Sequence, residues 1–271
     1  MKVSGKTIAV TGGGNGIGRE LVLGLLARGA RVAALDLSAE ALAETVRLTG
    51  SAADRVSTHV VNITDLDAVE NLPEAILEAH GQVDGLINCA GIIQPFVRFA
   101  ELERKDIERV MNVNFWGVVN TTKTFLPHLL ERPVAHVVNV SSMGGFLPVP
   151  GQTVYGASKA AVRLLTEGLS AELTETPVNV TVVFPGAIAT NITTNSGIAM
   201  PGGMDVEQAK AESTHKTLPA PEAARIIIEA MERDAYRVTV GKDSTMMDRM
   251  ARWMPVRSAR LIYKQMKDLL G

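Results

Sequence analysis

Residues 7–36 constrain this chain more than any other stretch. Thr7–Val10 is a short apolar, β-branched run of the kind that forms a buried strand. It gives way to Thr-Gly-Gly-Gly-Asn-Gly-Ile-Gly at 11–18, and then to a segment with Leu21, Leu25 and Leu26 at helical spacing that stops at Gly29. A second apolar run, Arg31–Asp36, ends on an acid. Strand, glycine turn, helix, strand and terminal carboxylate form the mononucleotide-binding βαβ arrangement. Gly12, Gly16 and Gly18 allow a tight turn, a close approach of backbone to a pyrophosphate and tight helix–strand packing. The helix start attracts phosphate through its unpaired N–H groups.

Asp36 refines the reading. A carboxylate at that strand end can accept hydrogen bonds from both ribose hydroxyls and repels a 2′-phosphate. Asn15 in the glycine loop supplies no cation for such a phosphate. Both favour NAD over NADP. Asp36 could also help cap a helix beginning near Ser38, and the two roles are compatible.

The alternation continues. Helices are expected at 39–48, 66–80 (with Pro73 near its start), 105–130, 152–174 and 221–232. Strands are expected at 56–61, 83–88, 135–140, 178–184 and 236–240, and residues 187–217 read as irregular. Seven strands separated by helices, without linker or repeat, predict one doubly wound α/β Rossmann-type domain over residues 1–241, a parallel sheet with helices on both faces. Residues 242–271 form an amphipathic extension.

Composition narrows the class. The 271 residues are 46% hydrophobic and 21% charged with a net charge of −2, ordinary for a soluble globular chain and without the basic excess of a nucleic-acid binder. Cys89 is the sole cysteine, so no intrachain disulfide can form. The polar, glycine-broken start does not read as a secretion signal, and a cytoplasmic protein is expected. No metal site is expected.

Tyr155 and Lys159 are four residues apart in a helix-forming stretch and so share a face. A phenol with a pKa near ~10 is a poor acid–base catalyst at neutral pH. An ammonium one turn away favours the phenolate, and bringing the pKa to about 7 requires ~4 kcal/mol of differential interaction. That demands a partly buried site.

With these residues, the chain resembles the short-chain dehydrogenase/reductase family over about residues 5–241. The family's glycine loop matches at Thr11, Gly12, Gly16 and Gly18, its strand-four motif at Asn88-Cys89-Ala90-Gly91, its catalytic Asn at Asn114 and its Ser at Ser142, thirteen residues before Tyr155. The Tyr-x-x-x-Lys pair is Tyr155 and Lys159, and the Pro-Gly motif is Pro185-Gly186, with Thr190 where the family places a hydroxyl on the nicotinamide carboxamide. The chain departs from the family at Asn62, where an acid is usual near the adenine, and at Cys89, which replaces an Asn and is expected only to pack.

The resemblance implies hydride transfer, with Tyr155 as general acid or base and Lys159 lowering its pKa and holding the nicotinamide ribose. It places Ser142 on the substrate oxygen and has Asn114 hold a water that links Lys159 to solvent. A structural amide kinking the long helix is the other reading of Asn114. Asn15, Ile17, Asn62, Ile63, Asn88, Ala90, Gly91 and Ile188 complete the implied cofactor site. Ser141 is expected to be structural. Other readings are an NADP-dependent carbonyl reductase and a non-catalytic NAD-binding regulatory protein.

The substrate-facing segments are apolar: 92–96, 144–149, Ala187-Ile188 and parts of the 190–215 loop, namely Ile192, Ile198, Met200 and Met204. They suggest a hydrophobic secondary alcohol or ketone, with Gln94, Phe96, Gly144, Phe146 and Gln152 as candidate contacts, or else they pack a lid on the core. Gly197, Gly202 and Gly203 suit a lid. The two long helices, with Ala157, Ala160, Ala161 and Gly168 on the second, suggest a homodimer or homotetramer. In the extension Met246, Met247, Met250, Trp253 and Met254 recur at helical spacing, and Pro255 separates them from a helix with Leu261, Ile262, Met266, Leu269 and Leu270. The extension carries seven basic and three acidic residues, +4, which leaves −6 for the rest. It could cover an active site, form an oligomer contact, or lie on an anionic membrane.

Overall fold

The computed structural model describes residues 1–198 and 217–267. Strands β1 (Thr7–Thr11), β2 (Arg31–Asp36), β3 (Val56–Val60), β4 (Gly85–Asn88), β5 (Ala135–Val140), β6 (Val178–Pro185) and β7 (Arg237–Val240) form one parallel sheet in the order β3-β2-β1-β4-β5-β6-β7. The chain moves outward from β1 to β3 and then returns to place β4 on the other side of β1. The crevice where that order reverses is where ligands bind in open α/β sheets.

Alternating side chains face two cores. Ile8 and Val10 join Leu21, Leu25, Val32, Ile227 and Met231 on one face, under α1 (Gly16–Ala27) and the later helix Ala220–Glu232. Ala9, Leu35, Leu86 and Val137 join Ile76, Phe125 and Leu129 on the other. A strand buried on both faces must be apolar throughout, which is why the strands read as runs rather than alternations.

Several elements differ from expectation. The helix expected over 66–80 is two, α3 (Leu66–Glu70) and α4 (Leu72–His80), with α2 (Ala39–Thr49) before them. Pro73 lacks an N–H to continue α3, and it sits in the first turn of α4, where none is needed. β4 starts two residues late because the buried Asp84 carboxylate accepts the Thr7 N–H (2.9 Å) and pairs with Arg132 (2.9 Å). The long helix is α5 (Arg104–Met111), a π-helical turn over Asn112–Trp116, and α6 (Gly117–Leu130). Within the segment expected to be irregular, Ile188–Ala189 pairs with Leu218–Pro219, and Ile192–Asn195 makes one helical turn. Met200, Met204, Gly202 and Gly203 in that segment, and Leu269 and Leu270 at the end, lie outside the described residues.

α7 (Thr153–Glu172) follows β5, and α8 (Ala220–Glu232) precedes β7. The extension forms α9 (Lys242–Trp253) and α10 (Pro255–Met266). Met247 and Ile262 are buried there with Leu147, against Met143, Phe146 and Met250. The extension thus packs on the chain's own loop after β5. Arg237 pins it: the guanidinium carbon stands 4.1 Å from the Phe184 ring centroid and pairs with Asp248 of α9.

Candidate active site

The site collects where β1, β4, β5 and β6 end. Gly12 has φ +72° and packs on the next strand's continuation: a Cβ there would lie 3.0 Å from Ala90 Cα. Gly18 is more constrained, since its Cβ would fall 2.0 Å from the Gly12 carbonyl oxygen. The side chain of Asn15 caps α1 by accepting the Gly16 N–H (2.8 Å). Thr190 reaches the same loop, its Cγ2 3.4 Å from where a Gly16 Cβ would stand. Asp36 holds the loop from the other side. One carboxylate oxygen accepts the Gly14 N–H (2.9 Å), and the other accepts the Ser38 N–H (3.1 Å), while Ser38 itself caps α2. Ile63 packs on Gly117, and Asn62 is exposed, its amide oxygen taken by the N–H and hydroxyl of Thr64.

This bare backbone cradle, with its helix start and its carboxylate at the end of β2, fits a nicotinamide dinucleotide. Gly12–Gly18 would hold the phosphates and Asp36 the adenosine ribose.

At the other end of the groove stands the Tyr155 set. Ser142 Oγ accepts the Gly144 N–H (3.0 Å), and both it and the Tyr155 ring edge lie 3.5 Å from where a Gly144 Cβ would stand. Lys159 is 4% exposed, donates to the Val140 carbonyl (3.1 Å) and lies against Gly91, where a Cβ would be 3.1 Å from its Nζ. Burial pulls the ammonium down to about 8. Burial pushes the Tyr155 phenol above its ordinary value, and only the Ser142 hydroxyl acts in the opposite sense. Desolvation is thus the dominant influence on Tyr155 and opposes the lowering expected from Lys159. Ser141 donates to the Lys159 carbonyl (2.7 Å) and fastens α7 to β5. Cys89 packs against the sheet core, and burial pushes its thiol up to about 12.

Five candidate residues do other work than expected. The Asn114 oxygen accepts the Ile92 N–H (2.9 Å), and its amide donates to the Ile92 carbonyl (2.9 Å) and to Ser158 Oγ (3.0 Å). Its side chain is spent on the loop and on α7, and the π turn falls at this residue, in line with the kink reading; a relay water would have to take its backbone carbonyl. Asn88 is 2% exposed. Its amide donates to Thr122 (3.0 Å) and to Asn139 (2.8 Å), and its oxygen accepts from Thr121 (2.7 Å). The chain continues from Asn139 to Thr166 of α7 (3.0 Å). This ladder ties β4, β5, α6 and α7 together beneath the site and leaves the Asn88 amide no hydrogen for a cofactor.

Gln94 is fully buried and does not face a substrate. Its oxygen accepts the N–H groups of Val154 (2.7 Å) and Tyr155 (3.0 Å), and its amide donates to the Gly151 carbonyl (3.0 Å). It caps α7 from a distant loop. Phe146 packs on Phe184 and the extension, with ring centroids 5.4 Å apart. Gln152 donates to the Gln94 carbonyl (2.9 Å), and its buried oxygen has no partner among the described residues. Phe96 and Gly144 are half-buried.

Two contacts carried no signal in the sequence pattern. Ser158 donates to the Tyr155 carbonyl (2.7 Å) and takes the Asn114 amide, linking three site elements. Asp243 of α9 accepts the Ala187 N–H (2.7 Å), just after Pro185-Gly186. An acid in the first turn of a helix was the only hint of the second.

The short chain dehydrogenase family model matches residues 6–200. SadH of Mycobacterium tuberculosis is 39% identical over 263 residues, spanning 95% of this chain and 94% of that protein. A short chain dehydrogenase/reductase from Burkholderia phymatum, solved in complex with NAD, superposes with a TM-score of 0.84 at 26% identity, covering 93% of this chain and 94% of that one. A Burkholderia cenocepacia short chain dehydrogenase solved with NADP shares the fold, with a TM-score of 0.78 at 24% identity over 98% of this chain and 99% of that one.

Proposed function

The chain belongs to the short-chain dehydrogenase/reductase family of oxidoreductases, and on that premise we propose that it transfers a hydride between NAD(H) and a hydrophobic secondary alcohol or ketone. The observation that carries the reading is that Ser142 and the Tyr155 ring both border Gly144 while Lys159, one turn along α7 from Tyr155, lies against Gly91 at the sheet's switch point. The bound nicotinamide supplies the hydride acceptor or donor. The chain's own residues handle the proton and the oxygen. In oxidation the Tyr155 phenolate, its own proton already passed to solvent, takes the alcohol O–H proton as the carbinol hydrogen leaves as hydride; in reduction the phenol gives its proton to the carbonyl oxygen as hydride arrives at the carbon. Ser142, aligned by the Gly144 N–H, holds the substrate oxygen as charge develops there. Lys159, drawn down to about 8, can exchange a proton near neutral pH and holds the nicotinamide ribose.

Asp36 supports NAD over NADP: a 2′-phosphate would meet its carboxylate, and Asn15 offers no counter-charge. Ile17, Ala90, Gly186 and Ile188 would line the cofactor groove. Ile92, Phe96 and Gly144 support an apolar pocket. Leu164 (70% exposed) and Trp116 (52% exposed) on the long helices, with open space over Gly168, support a homodimer or homotetramer. The lone cysteine suits a cytoplasmic setting.

The test is a panel of secondary alcohols with NAD, followed by NADH absorbance. Tyr155→Phe should fall below about a hundredth of the wild-type rate, the scale lost with a general acid–base group, while still binding NADH by fluorescence. A variant that kept most of its rate would remove Tyr155 from the chemistry. Tighter binding of NADP than of NAD would remove the role given to Asp36.

A further inference from the structure

The outer face of the extension has no use in the hydride-transfer site. Between residues 249 and 267 the chain carries Arg249, Arg252, Arg257, Arg260, Lys264 and Lys267 and no acid. All six cations are exposed. Among the described residues only Arg252 has an acid partner, Asp248, which is mostly committed to Arg237. Between the cations stand Trp253 (85% exposed), Val256 (62%) and Tyr263 (55%), with Met254 at the corner between α9 and α10. Val256, Arg260, Tyr263, Lys264 and Lys267 recur at steps of three and four and so share one side of α10. Ile262 and Ser258, on the opposite side, are buried.

Two readings of this face are possible in principle: a contact with protein, or a contact with an interface of diffuse negative charge. A dry protein contact would bury up to six cations with only Asp248 among the described residues, already shared with Arg237, to pair one of them, at high cost. A lipid surface asks for no specific pairing. Anionic headgroups attract each cation, and Trp and Tyr favour the headgroup boundary, where one side of the ring is apolar and the other wet. The charge is also set apart: the extension is +4, while the remainder of the chain is −6, so attraction to an anionic surface would orient the molecule extension first.

We propose that the outer face of α9 and α10 docks peripherally on anionic lipid, with Trp253 and Tyr263 at the headgroup level and the arginines and lysines on the phosphates. No described helix is long and apolar enough to span a bilayer, so the contact is one of surface adsorption. The proposal does not depend on the substrate class. It does place the site near the surface, because the inner face of the same helices packs on the loop that follows Ser142.

The experiment uses the full chain and sedimentation with vesicles of phosphatidylcholine alone or mixed with phosphatidylglycerol. The protein should pellet with the mixed vesicles, stay in solution with pure phosphatidylcholine, and be released by high salt. The triple variant Arg257→Glu, Arg260→Glu, Lys264→Glu should lose about a hundredfold in affinity, since each cation near an anionic surface contributes roughly fivefold. Its far-UV circular dichroism and NADH binding should match wild type. In a Trp116→Phe background Trp253 is the only indole, and its emission should shift to the blue with mixed vesicles and be quenched by brominated lipid.

No sedimentation with mixed vesicles would overturn the proposal. So would a Trp253 emission already blue without lipid and unchanged by it, which would assign the face to a contact between copies of the chain. Trp253 quenching by single-stranded DNA without vesicle binding would assign it to nucleic acid and equally overturn it.

Discussion

Lys159 lies almost wholly out of water with the Val140 carbonyl 3.1 Å away, and the sign of that burial can be measured. In the unfolded chain the ammonium keeps its proton to about 10.5; burial in the folded protein draws this down to about 8. Below pH 8 the fold therefore carries the cost of a buried charge, worth about 3 kcal/mol. Between pH 8 and 10.5 the unfolded state binds more protons, so this contribution to stability improves as pH rises. Lys159→Met removes the group. Its stability advantage over wild type should be largest at pH 7 and shrink by pH 10, as read by guanidinium unfolding at both. A gap that does not change with pH would mean that Lys159 is charged and compensated in the folded state. The identities of Tyr155, Lys159 and Ser142 were legible in the sequence because they lie within eighteen residues on one strand end and one helix face. Gln94 was not. Its partners at 151, 154 and 155 lie some sixty residues on, and no local pattern marks an amide that caps a remote helix. The same holds for Phe146, whose place in the sequence suits a pocket wall but whose neighbours come from the end of the chain.

Most element boundaries were legible because the central strands are largely apolar and the helices have clear stops. The exceptions arise from side chains that intervene in backbone ladders. The π turn at Asn112–Trp116 forms where Asn114 is drawn into three hydrogen bonds with Ile92 and Ser158, which a helical periodicity cannot reveal. The start of α7 depends on the corresponding device at Gln94. Gln94→Leu leaves the Val154 and Tyr155 N–H groups and the Gly151 carbonyl without their partner. It should cost about 1–3 kcal/mol, read as a fall in the melting midpoint by calorimetry. Because Tyr155 sits in that first turn, kcat should fall more than KM rises. Gln94→Glu retains the acceptor and should recover part of both. An unchanged kcat in Gln94→Leu would show that α7 holds Tyr155 without this cap.

For the molecule as a whole, the seven-stranded parallel sheet with helices on both faces followed from the alternation of runs, whereas the strand order and the packing of the extension did not. Its methionines show an apolar face but not what that face meets. The structure puts them on the loop after Ser142, and α9 is fixed further by Asp243 at Ala187 and Ser244 at the Phe184 carbonyl (2.8 Å). On the main body, Trp116 and Leu130 along α5–α6 and Leu164 of α7 stay exposed. Leu164→Glu should lower the mass seen by light scattering toward that of a single chain, 28.9 kDa, without lowering the melting midpoint by more than the lost assembly explains. A variant with the wild-type mass would place the contact elsewhere.

The ladder from Thr121 through Asn88 and Asn139 to Thr166 has a consequence for how the chain reaches this state. All seven strands are parallel, so every pairing joins distant segments and forms late relative to local helices. Apolar strands of similar composition can pair one residue out of step at little loss, and a parallel sheet rich in Val and Ala offers many such errors. Here a slip of β4 would turn the Asn88 amide from its hydroxyl partners toward the apolar cluster on the opposite face. Misaligned intermediates would thus be short-lived, because they alone would hold a naked amide in hydrocarbon. The residues beneath the site thus disfavour an out-of-step β4, and favour the register in which Lys159 comes to lie against Gly91.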